Sequence, residues 1–468
     1  RAGVLVKGVY NFTEASVIQP TGSSSGVKGP ITIVSDTGNA NTPAVKKVVE
    51  INAAHGLKLD NTKMSGMNGY GIYASKGSQL TINGDISMEQ ANTYSNGTQY
   101  GISSIMESYW SPAKEATNVT INGDVDIHID NAITDGSKMP YMDSARNEKV
   151  IGIRNTGEEG SAITVNGLVN IDVDGTGVVV DNCLDAKSVV NIKGGKIVAR
   201  PVEVLESWNS KETAALNNHA LAAYAGTINM GVLPEEVQTQ DADSTPAMKL
   251  TKSDVEVEGN VFTIKDALTS TASRNLTDGT INMALATAYS SWKGVADNAG
   301  ADKLGTFNLY LQNGGLWTNE KQGSTYSNDP ENASTKALAG EWDGISHVTN
   351  LTGGEDEGHR GMISQTEDIP ISIDNYSGHV AAFYGHSTTD PTKIMGGTIT
   401  IGKAAEGSNL SLVTDRDGID IDNKDQVTSV LSELAKKLVY TGAANGEKNL
   451  TANAVIGEGL TSPWAAYQ

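Results

Sequence analysis

The feature that most constrains this chain is a short segment of alternating apolar and polar residues that returns along its first 200 positions. Each copy carries an Asn-Gly or Gly-Gly pair near its centre. The copies lie at residues 77–88, 116–127, 161–171 and 188–197. In the first copy the alternation sends Leu80 and Ile82 to one side and Thr81 and Asn83 to the other, which is typical of a half-buried β-strand. The pattern therefore predicts a chain built from recurring strands.

Two structures are compatible with an Asn-Gly pair between alternating strands. One is a stack of β-hairpins, and the other is a solenoid whose corners carry the Asn-Gly, where glycine supplies the positive φ of a sharp bend. The regular return of the unit favours the solenoid. The corner glycines Gly84, Gly123 and Gly167 are 39 and 44 residues apart. This spacing predicts roughly two rungs of about 20 residues per repeat.

Charge and cysteine content exclude several classes of function. The 468 residues include 34 Lys and Arg against 55 Asp and Glu, which gives a net charge of −21. Such a chain lacks the clustered cations that a nucleic acid or an anionic membrane surface attracts, so neither is predicted as a partner. Cys183 is the single cysteine, which excludes an intramolecular disulfide and a zinc site built on thiolates.

The last third of the chain contains a succession of short motifs. They are Asn-Gly-Gly-Leu-Trp-Thr-Asn-Glu at 313–320, Ser-His-Val-Thr-Asn-Leu-Thr-Gly-Gly at 346–354, Arg-Gly-Met-Ile at 360–363, Ile-Asp-Asn-Tyr-Ser-Gly at 373–378, Lys-Ile-Met-Gly-Gly-Thr at 393–398 and Gly-Glu-Lys-Asn-Leu at 446–450. Their order over 304–462 resembles the passenger domains of Gram-negative autotransporter (type V secretion) outer-membrane proteins, at the end next to the membrane pore. The Thr-Ile-Asn-Gly repeats are similar to the same family upstream.

The resemblance implies an all-β fold, a right-handed parallel β-helix with loop insertions. It also implies a shaft over residues 1–303 and C-terminal rungs with a cap over 304–468, comparable to the autochaperone segment of the family. Such passengers cross the outer membrane unfolded and fold outside from their C-terminal rungs. The family normally continues into a β-barrel translocator, and no such barrel is expected within these 468 residues. Contact with a membrane is therefore expected only through such a barrel.

One short amphipathic helix is predicted near the C-terminus, over about 425–438. Its apolar stripe consists of Val427, Val430, Leu431, Leu434 and Leu438, at i, i+3, i+4, i+7 and i+11. Asp425 suits the N-cap, and Lys436 and Lys437 suit the negative end of the helix dipole. We expect the stripe to pack on the flank or end of the β-helix; a partner-binding helix is the alternative.

No residue is assigned a catalytic, cofactor-binding or metal-binding role, and no cofactor is predicted. The Gly-Ser-Ser-Ser-Gly segment at 22–26 matches the G-x-S-x-G nucleophile pattern, but it lies in a loop without the strand and helix that this motif needs. The Gly-Asp-Ser-Gly tetrapeptide of autotransporter serine proteases is missing.

Two groups of residues raise the question of a metal ion. Four histidines are close in sequence: His347, His359, His379 and His386. They could meet on neighbouring rungs, although exposed polar histidines are favoured. Asp415, Asp417 and Asp420 offer the oxygen ligands that Ca²⁺ prefers, but the segment lacks the Glu that closes an EF-hand loop. Asp420 and Asp422 also fit ordinary strand alternation, which is the favoured interpretation. Calcium binding by these aspartates is left open as the alternative.

Together these features predict a non-enzymatic adhesin-like rod, exposed on a Gram-negative cell or secreted after cleavage. About 20 rungs of 20–25 residues would project roughly 90–100 Å. Its expected role is adhesion, through a host or neighbouring-cell surface protein or glycan, or self-association supported by outward ladders of Asn, Thr and Asp. The alternative is a carbohydrate-active β-helix enzyme, a polysaccharide lyase or hydrolase, which needs two carboxylates at a set separation.

Overall fold

The strands of this chain stack in parallel around one apolar core, as a parallel β-helix in this computed structural model. The structure describes residues 6–22, 26–36, 41, 45–66, 68–93, 97–107, 115–132, 150–181, 187–202, 218–235, 247–268, 276–328, 340–457 and 460–465. The strands up to residue 268 are β1 (Gly8–Phe12), β2 (Ser16–Ile18), β3 (Ile31–Val34), β4 (Val48–Leu59), β5 (Asn68–Ser75), β6 (Gln79–Asn92), β7 (Thr98–Ile105), β8 (Asn118–Asn122), β9 (Val125–Asn131), β10 (Val150–Thr156), β11 (Ala162–Val173), β12 (Thr176–Val180), β13 (Val189–Ala199), β14 (Leu221–Ala223), β15 (Ala225–Met230), β16 (Val232–Pro234), β17 (Met248–Leu250), β18 (Val255–Glu258), β19 (Val261–Thr263) and β20 (Lys265–Leu268).

The remaining strands are β21 (Leu276–Leu285), β22 (Ser291–Gly294), β23 (Ala296–Asp297), β24 (Thr306–Leu311), β25 (Leu316–Asn319), β26 (Ser327–Asn328), β27 (Gly340–Glu341), β28 (Ser346–Thr352), β29 (Gly361–Gln365), β30 (Ile371–Ser377), β31 (His379–His386), β32 (Ile394–Met395), β33 (Ile399–Ala404), β34 (Ser408–Thr414), β35 (Leu438–Tyr440), β36 (Leu450–Ile456) and β37 (Leu460–Ala465). The described residues also form an α-helix, α1 (Lys424–Ala435), and two 3₁₀ helices, Glu357–His359 and Thr441–Asn445.

Each coil of the helix contributes a strand to up to three faces. The first face consists of β1, β4, β6, β8, β11, β13, β15, β21, β24, β28, β30, β33 and β35. The second consists of β2, the far halves of β4, β6, β11 and β13, and β9, β18, β22, β25, β29, β31, β34 and β36. The third consists of β3, β5, β7, β10, β12, β14, β19 and β23. The predicted solenoid is therefore confirmed, and the hairpin stack is wrong.

The predicted length of a coil is wrong. Gln79 in β6 pairs directly with Asn118 in β8, so a step of 39 residues is one coil and not two. The Gly-Ile strands that precede each repeat, such as β7 and β10, form the third face of the same coil. Thirteen coils can be followed through the described residues, and at about 4.8 Å per coil they make a rod of roughly 60 Å.

The Asn-Gly pairs bend the chain between the first and second faces without reversing it. A Cβ on Gly123 would lie 2.1 Å from the carbonyl oxygen of Gly84, and one on Gly167 would lie 2.1 Å from that of Gly123. Of these three glycines, Gly84 alone has a positive φ, at +148°. Glycine is thus required here mainly because successive main chains approach too closely for a side chain.

Inward residues form one continuous core along the axis. Leu80, Ile82, Ile86 and Met88 are all buried, as the alternation in β6 predicts. Larger side chains also repeat from coil to coil: Trp292 and Trp317 lie parallel with ring centroids 4.7 Å apart. Each indole donates its N–H to a main-chain carbonyl, that of Gly259 for Trp292 and that of Gly294 for Trp317. Two tryptophans that are separate in sequence thus become neighbours in the core.

The helix α1 confirms the prediction of a packed amphipathic helix and corrects its ends. Val430 and Leu434 are fully buried, and the helix contacts β32, β34 and β36. The N-cap is Asn423, whose side chain accepts from the N–H of Gln426, while Asp425 lies in the first turn. Leu438 begins β35 instead of ending the helix. Among the described residues, no helix is long and apolar enough to cross a membrane.

The shaft is continuous across the boundary predicted at residue 303. Strands on its two sides pair in parallel, β21 with β24 and β22 with β25. Short antiparallel pairs, β16 with β17 and β26 with β27, belong to the loop insertions. At the last coil, β37 runs antiparallel along the free edge of β36 and covers it. The division into 1–303 and 304–468 stays a prediction.

The glycine column gives the first testable prediction. We expect Gly123→Ala to lower the free energy of unfolding by about 2–4 kcal/mol, because the new methyl group meets the main chain of the preceding coil. Gly385→Ala is the matched control, since the nearest atom to its Cβ is the methyl carbon of Met395 at 3.6 Å. Urea unfolding followed by circular dichroism measures both. Equal losses in the two variants would contradict the close-approach explanation.

Candidate functional site

The surface open to a partner lies on the first and second faces. Outward residues of the third face, Tyr100, Ile151, Val179 and Phe262, are buried in a second apolar cluster. The ring of Tyr326 stacks on Phe262 with 4.6 Å between centroids. Because these outward residues of the third face are buried, a partner would contact mainly the outward side chains of the first two faces.

Asparagine side chains form two hydrogen-bonded ladders along the first face. In every step the Nδ2 of one Asn donates to the Oδ1 of the Asn one coil nearer the N-terminus. The first ladder joins Asn11, Asn52, Asn83, Asn122 and Asn166 at 2.8–2.9 Å. The second joins Asn191, Asn229, Asn282, Asn308, Asn350 and Asn375 at 2.8–3.0 Å. All steps point the same way, so the amide dipoles are aligned.

The exposed amides at the C-terminal end of the second ladder, those of Asn350 and Asn375, still have hydrogen-bonding capacity directed outward. A primary amide has two N–H groups and two lone pairs, and a ladder step uses one of each. The second ladder ends at Asn375, whose register partner on the next coil is Lys403. The Lys403 ammonium makes no ion pair within the described residues. It therefore stands beside the acceptor end of the aligned amides.

The end of the second ladder forms one wall of a groove of about 530 Å³, which we call the Tyr310 groove. Beside the amides of Asn308, Asn350 and Asn375, a second outward row lies two residues further along each strand. This hydroxyl row consists of Tyr310, Thr352 and Ser377. Register places Tyr310 beside Thr352 and Thr352 beside Ser377. Amides and hydroxyls thus line the groove in two parallel rows.

Glu447 closes the C-terminal end of the Tyr310 groove. Its Oε1 accepts the main-chain N–H of Ala404 at 2.6 Å and also the hydroxyl of Tyr440. Burial, together with this hydrogen bond to Glu447, raises the pKa of the Tyr440 phenol, so the phenol stays protonated and donates. Lys403 lies at the same end of the groove. One cation and one anion therefore face a ligand there.

Local sequence patterns do not single out the residues of the Tyr310 groove. The signal that could have found them is a repeated triplet of Asn, an inward residue and a hydroxyl residue. It reads Asn-Leu-Tyr at 308–310, Asn-Leu-Thr at 350–352 and Asn-Tyr-Ser at 375–377. The triplets lie 42 and 25 residues apart, and they become neighbours only once the coils are known.

A second groove, of about 540 Å³, follows the glycine bend in the N-terminal half; we call it the bend groove. Asp85 and Asp124 lie on neighbouring coils along it. The Oδ1 of Asp85 accepts the N–H of Asp124 at 2.7 Å, and the Oδ1 of Asp124 accepts the N–H of Leu168 at 2.8 Å. These carboxylates satisfy main-chain groups exposed by the bend, which is a structural role.

The four candidate histidines do not meet in one site. His347 contacts Asp343 at 2.6 Å, His386 contacts Asp415 at 2.9 Å, and His379 begins β31. His359 is exposed beside Glu355 and Asp356, and in the described part of the chain these three form the one group whose ligand atoms lie close enough to share an ion. Asp356 already caps the short 3₁₀ helix through the N–H of His359.

The aspartates considered for calcium lie in turns before α1, so the predicted strand alternation at Asp420 and Asp422 is wrong. Their carboxylates bond to nearby main chain: the Oδ1 of Asp415 accepts from Asp417, and that of Asp420 accepts from Asp422. In the described structure, the carboxylates of Asp415, Asp417 and Asp420 do not lie close enough together to share one ion.

Two other candidates from the sequence, Cys183 and the serines at 23–25, lie outside the described residues.

Comparison with known proteins adds no relative to this picture. No family model matches the chain, and neither a curated protein nor a solved structure matches it significantly. The resemblance to autotransporter passengers therefore stays a prediction, and functional conclusions have to come from the geometry of the two grooves and the ladders.

The ladder gives a second testable prediction. Asn282 is buried, donates to Asn229 and accepts from Asn308. We expect Asn282→Ala to cost about 1–3 kcal/mol of unfolding free energy, because it leaves the buried acceptor of Asn229 and the half-buried donor of Asn308 without ladder partners. Asn375→Ala, at the exposed end of the same ladder, should cost less than about 1 kcal/mol. Urea titration compares the two, and equal costs would contradict a cooperative ladder.

The His386–Asp415 contact gives a prediction on pH. Burial alone would lower the pKa of His386, but hydrogen bonds to the Ser387 carbonyl and to Asp415 outweigh it and raise the pKa above its ordinary value of 6.5. The contact therefore stabilises the fold fully below pH 6.5, and this contribution is lost as the pH rises through the raised pKa.

We expect Asp415→Asn to be less stable than the unsubstituted chain at about pH 5.5, with a smaller difference at about pH 8.5. Thermal unfolding midpoints at several pH values measure it. Asp417→Asn is the control, because Asp417 is two residues from Asp415 and no hydrogen bond or ion pair joins it to His386 within the described residues. A difference that is constant between these pH values would show that the charge of His386 is not involved.

Proposed function

We propose that this chain is a non-enzymatic binding rod, displayed on the outer surface of a Gram-negative cell or released from it. It acts in adhesion to host or neighbouring cells or matrix, or in association between rods. The observation that carries the proposal is the second asparagine ladder, which presents outward amide groups on successive coils and ends in the Tyr310 groove. Protein surfaces and glycans are both recognised by such directional polar groups.

The ordered motifs over 304–462 support a passenger that is displayed or secreted. A stiff rod of parallel coils suits this role, because it holds its outer rows at fixed spacing away from the point of attachment. The net charge of −21 further favours neutral or basic partners over anionic surfaces.

The experiment is to display the chain, through a carrier barrel, on Gram-negative cells that do not aggregate by themselves. We expect these cells to aggregate, or to adhere to epithelial cells or immobilised matrix, more than cells that carry the empty barrel. Purified chain added in excess should compete with the displayed chain, because it occupies the same partners.

Two results would contradict the proposal. One is the absence of any binding by the displayed and the purified chain. The other is release of reducing ends or unsaturated products from a polysaccharide. If that release were lost in Asp124→Asn, the bend groove would be the site of a carbohydrate-active enzyme.

A further inference from the structure

We propose that the Tyr310 groove binds a neutral oligosaccharide that lies along the coil axis, across the hydroxyl row and the ends of the amides. The inference rests on the proposed function, since it names the class of ligand that a binding rod would take. Four features of the groove support it: unused hydroxyls, unused amide groups, a balance of charge, and a half-buried aromatic side chain.

The hydroxyl row has no internal partners. Tyr310, Thr352 and Ser377 make no side-chain hydrogen bonds within the described residues. All three side chains are half-buried on the wall of the groove, so they face the ligand space without being used by the fold. A hydroxyl both donates and accepts, as does each hydroxyl of a sugar.

The amide row repeats the same capacity at the same spacing. Asn350 and Asn375 are exposed and each uses a single N–H in the ladder. Successive coils lie about 4.8 Å apart, so the groove offers a donor and an acceptor at each step along the axis. A chain of sugar units presents its hydroxyl groups at repeated intervals in the same way.

Charge selects a neutral ligand over an acidic one. Lys403 and Glu447 stand at the same end of the groove, so their charges offset each other. The chain as a whole carries −21, which disfavours the approach of uronic or sialic acids. Extended peptides are disfavoured on other grounds, because the groove is built from outward side chains and the described strands that line it already pair with their neighbours on both sides.

Tyr310 is the aromatic residue in the hydroxyl row of the groove; Tyr376 also borders the groove but is buried in the core. The register neighbour of Tyr310 on the preceding coil is the small Ala284. Sites for small molecules commonly combine an aromatic surface with a few polar groups that fix orientation. We therefore expect the ring to contact one sugar unit and the hydroxyl and amide rows to bind the next ones.

The test is isothermal titration of the purified chain with cellohexaose, mannohexaose and maltohexaose as neutral probes, and hexagalacturonic acid as an acidic probe. At least one neutral probe should bind, and more tightly than the acidic probe. Tyr310→Ala should weaken that binding about tenfold or more, and Thr352→Val by about 2–10-fold. Tyr289→Ala is the matched control, because Tyr289 is 76% exposed and lies outside the groove.

Thermal unfolding checks that each variant is folded. Saturation-transfer NMR gives a second, independent measurement of probe binding by the unsubstituted chain and by each variant. The inference is overturned if no neutral probe binds, if the acidic probe binds more tightly, or if Tyr289→Ala weakens binding as much as Tyr310→Ala. Cell adhesion separates the two proposals. Adhesion by the unsubstituted rod without binding of any neutral probe refutes the groove inference alone, while absence of adhesion by the unsubstituted rod refutes the proposed function.

Discussion

Hydrogen bonding between coils places each residue beside the residue at the same position of the next coil, about 4.8 Å away. Every side chain therefore packs against the other members of its own column. Aliphatic and aromatic side chains repeat well in this arrangement, as where Ile121 lies between Ile82 and Val165 or where Trp292 lies on Trp317. Like charges directly opposite each other destabilise a sheet. Outward columns are thus best filled by groups that can bond to themselves, and amides have this property.

The stacking of each residue on the same position of the next coil also limits where the many acidic side chains can lie. Asp85 and Asp124 occur on neighbouring coils, but each accepts a main-chain N–H, so the coil edge partly neutralises the charge. Where Asp172 and Asp174 lie close together on the second face, Arg200 donates to both of them. At these four positions a main-chain donor or a cation thus meets the carboxylate, whereas the ladder positions are filled by uncharged amides.

Local patterns in the sequence were sufficient for the class of fold, since alternation at Leu80 and Ile82 decides which side of a strand is buried. They were insufficient for the coil length, because alternation does not show whether the Gly-Ile strand before each repeat forms a coil of its own or a third face of the same coil. Sequence alone does not distinguish Asn423 from Asp425 as the N-cap of α1, because both residue types cap equally well. The Tyr310 groove depends on which coils are neighbours, and no short stretch of sequence contains that information.

One ladder serves two purposes along its length. In the middle coils Asn229 and Asn282 are buried, and the residue two positions on is glycine or alanine. In the last coils Asn350 and Asn375 are exposed, and the residue two positions on belongs to the hydroxyl row. The ladder bonds are equally short in both regions, so the hydroxyls are not needed to form them. A structural role accounts for the asparagines of the buried coils, whereas the hydroxyls that accompany the exposed asparagines are better explained by a ligand that uses both rows.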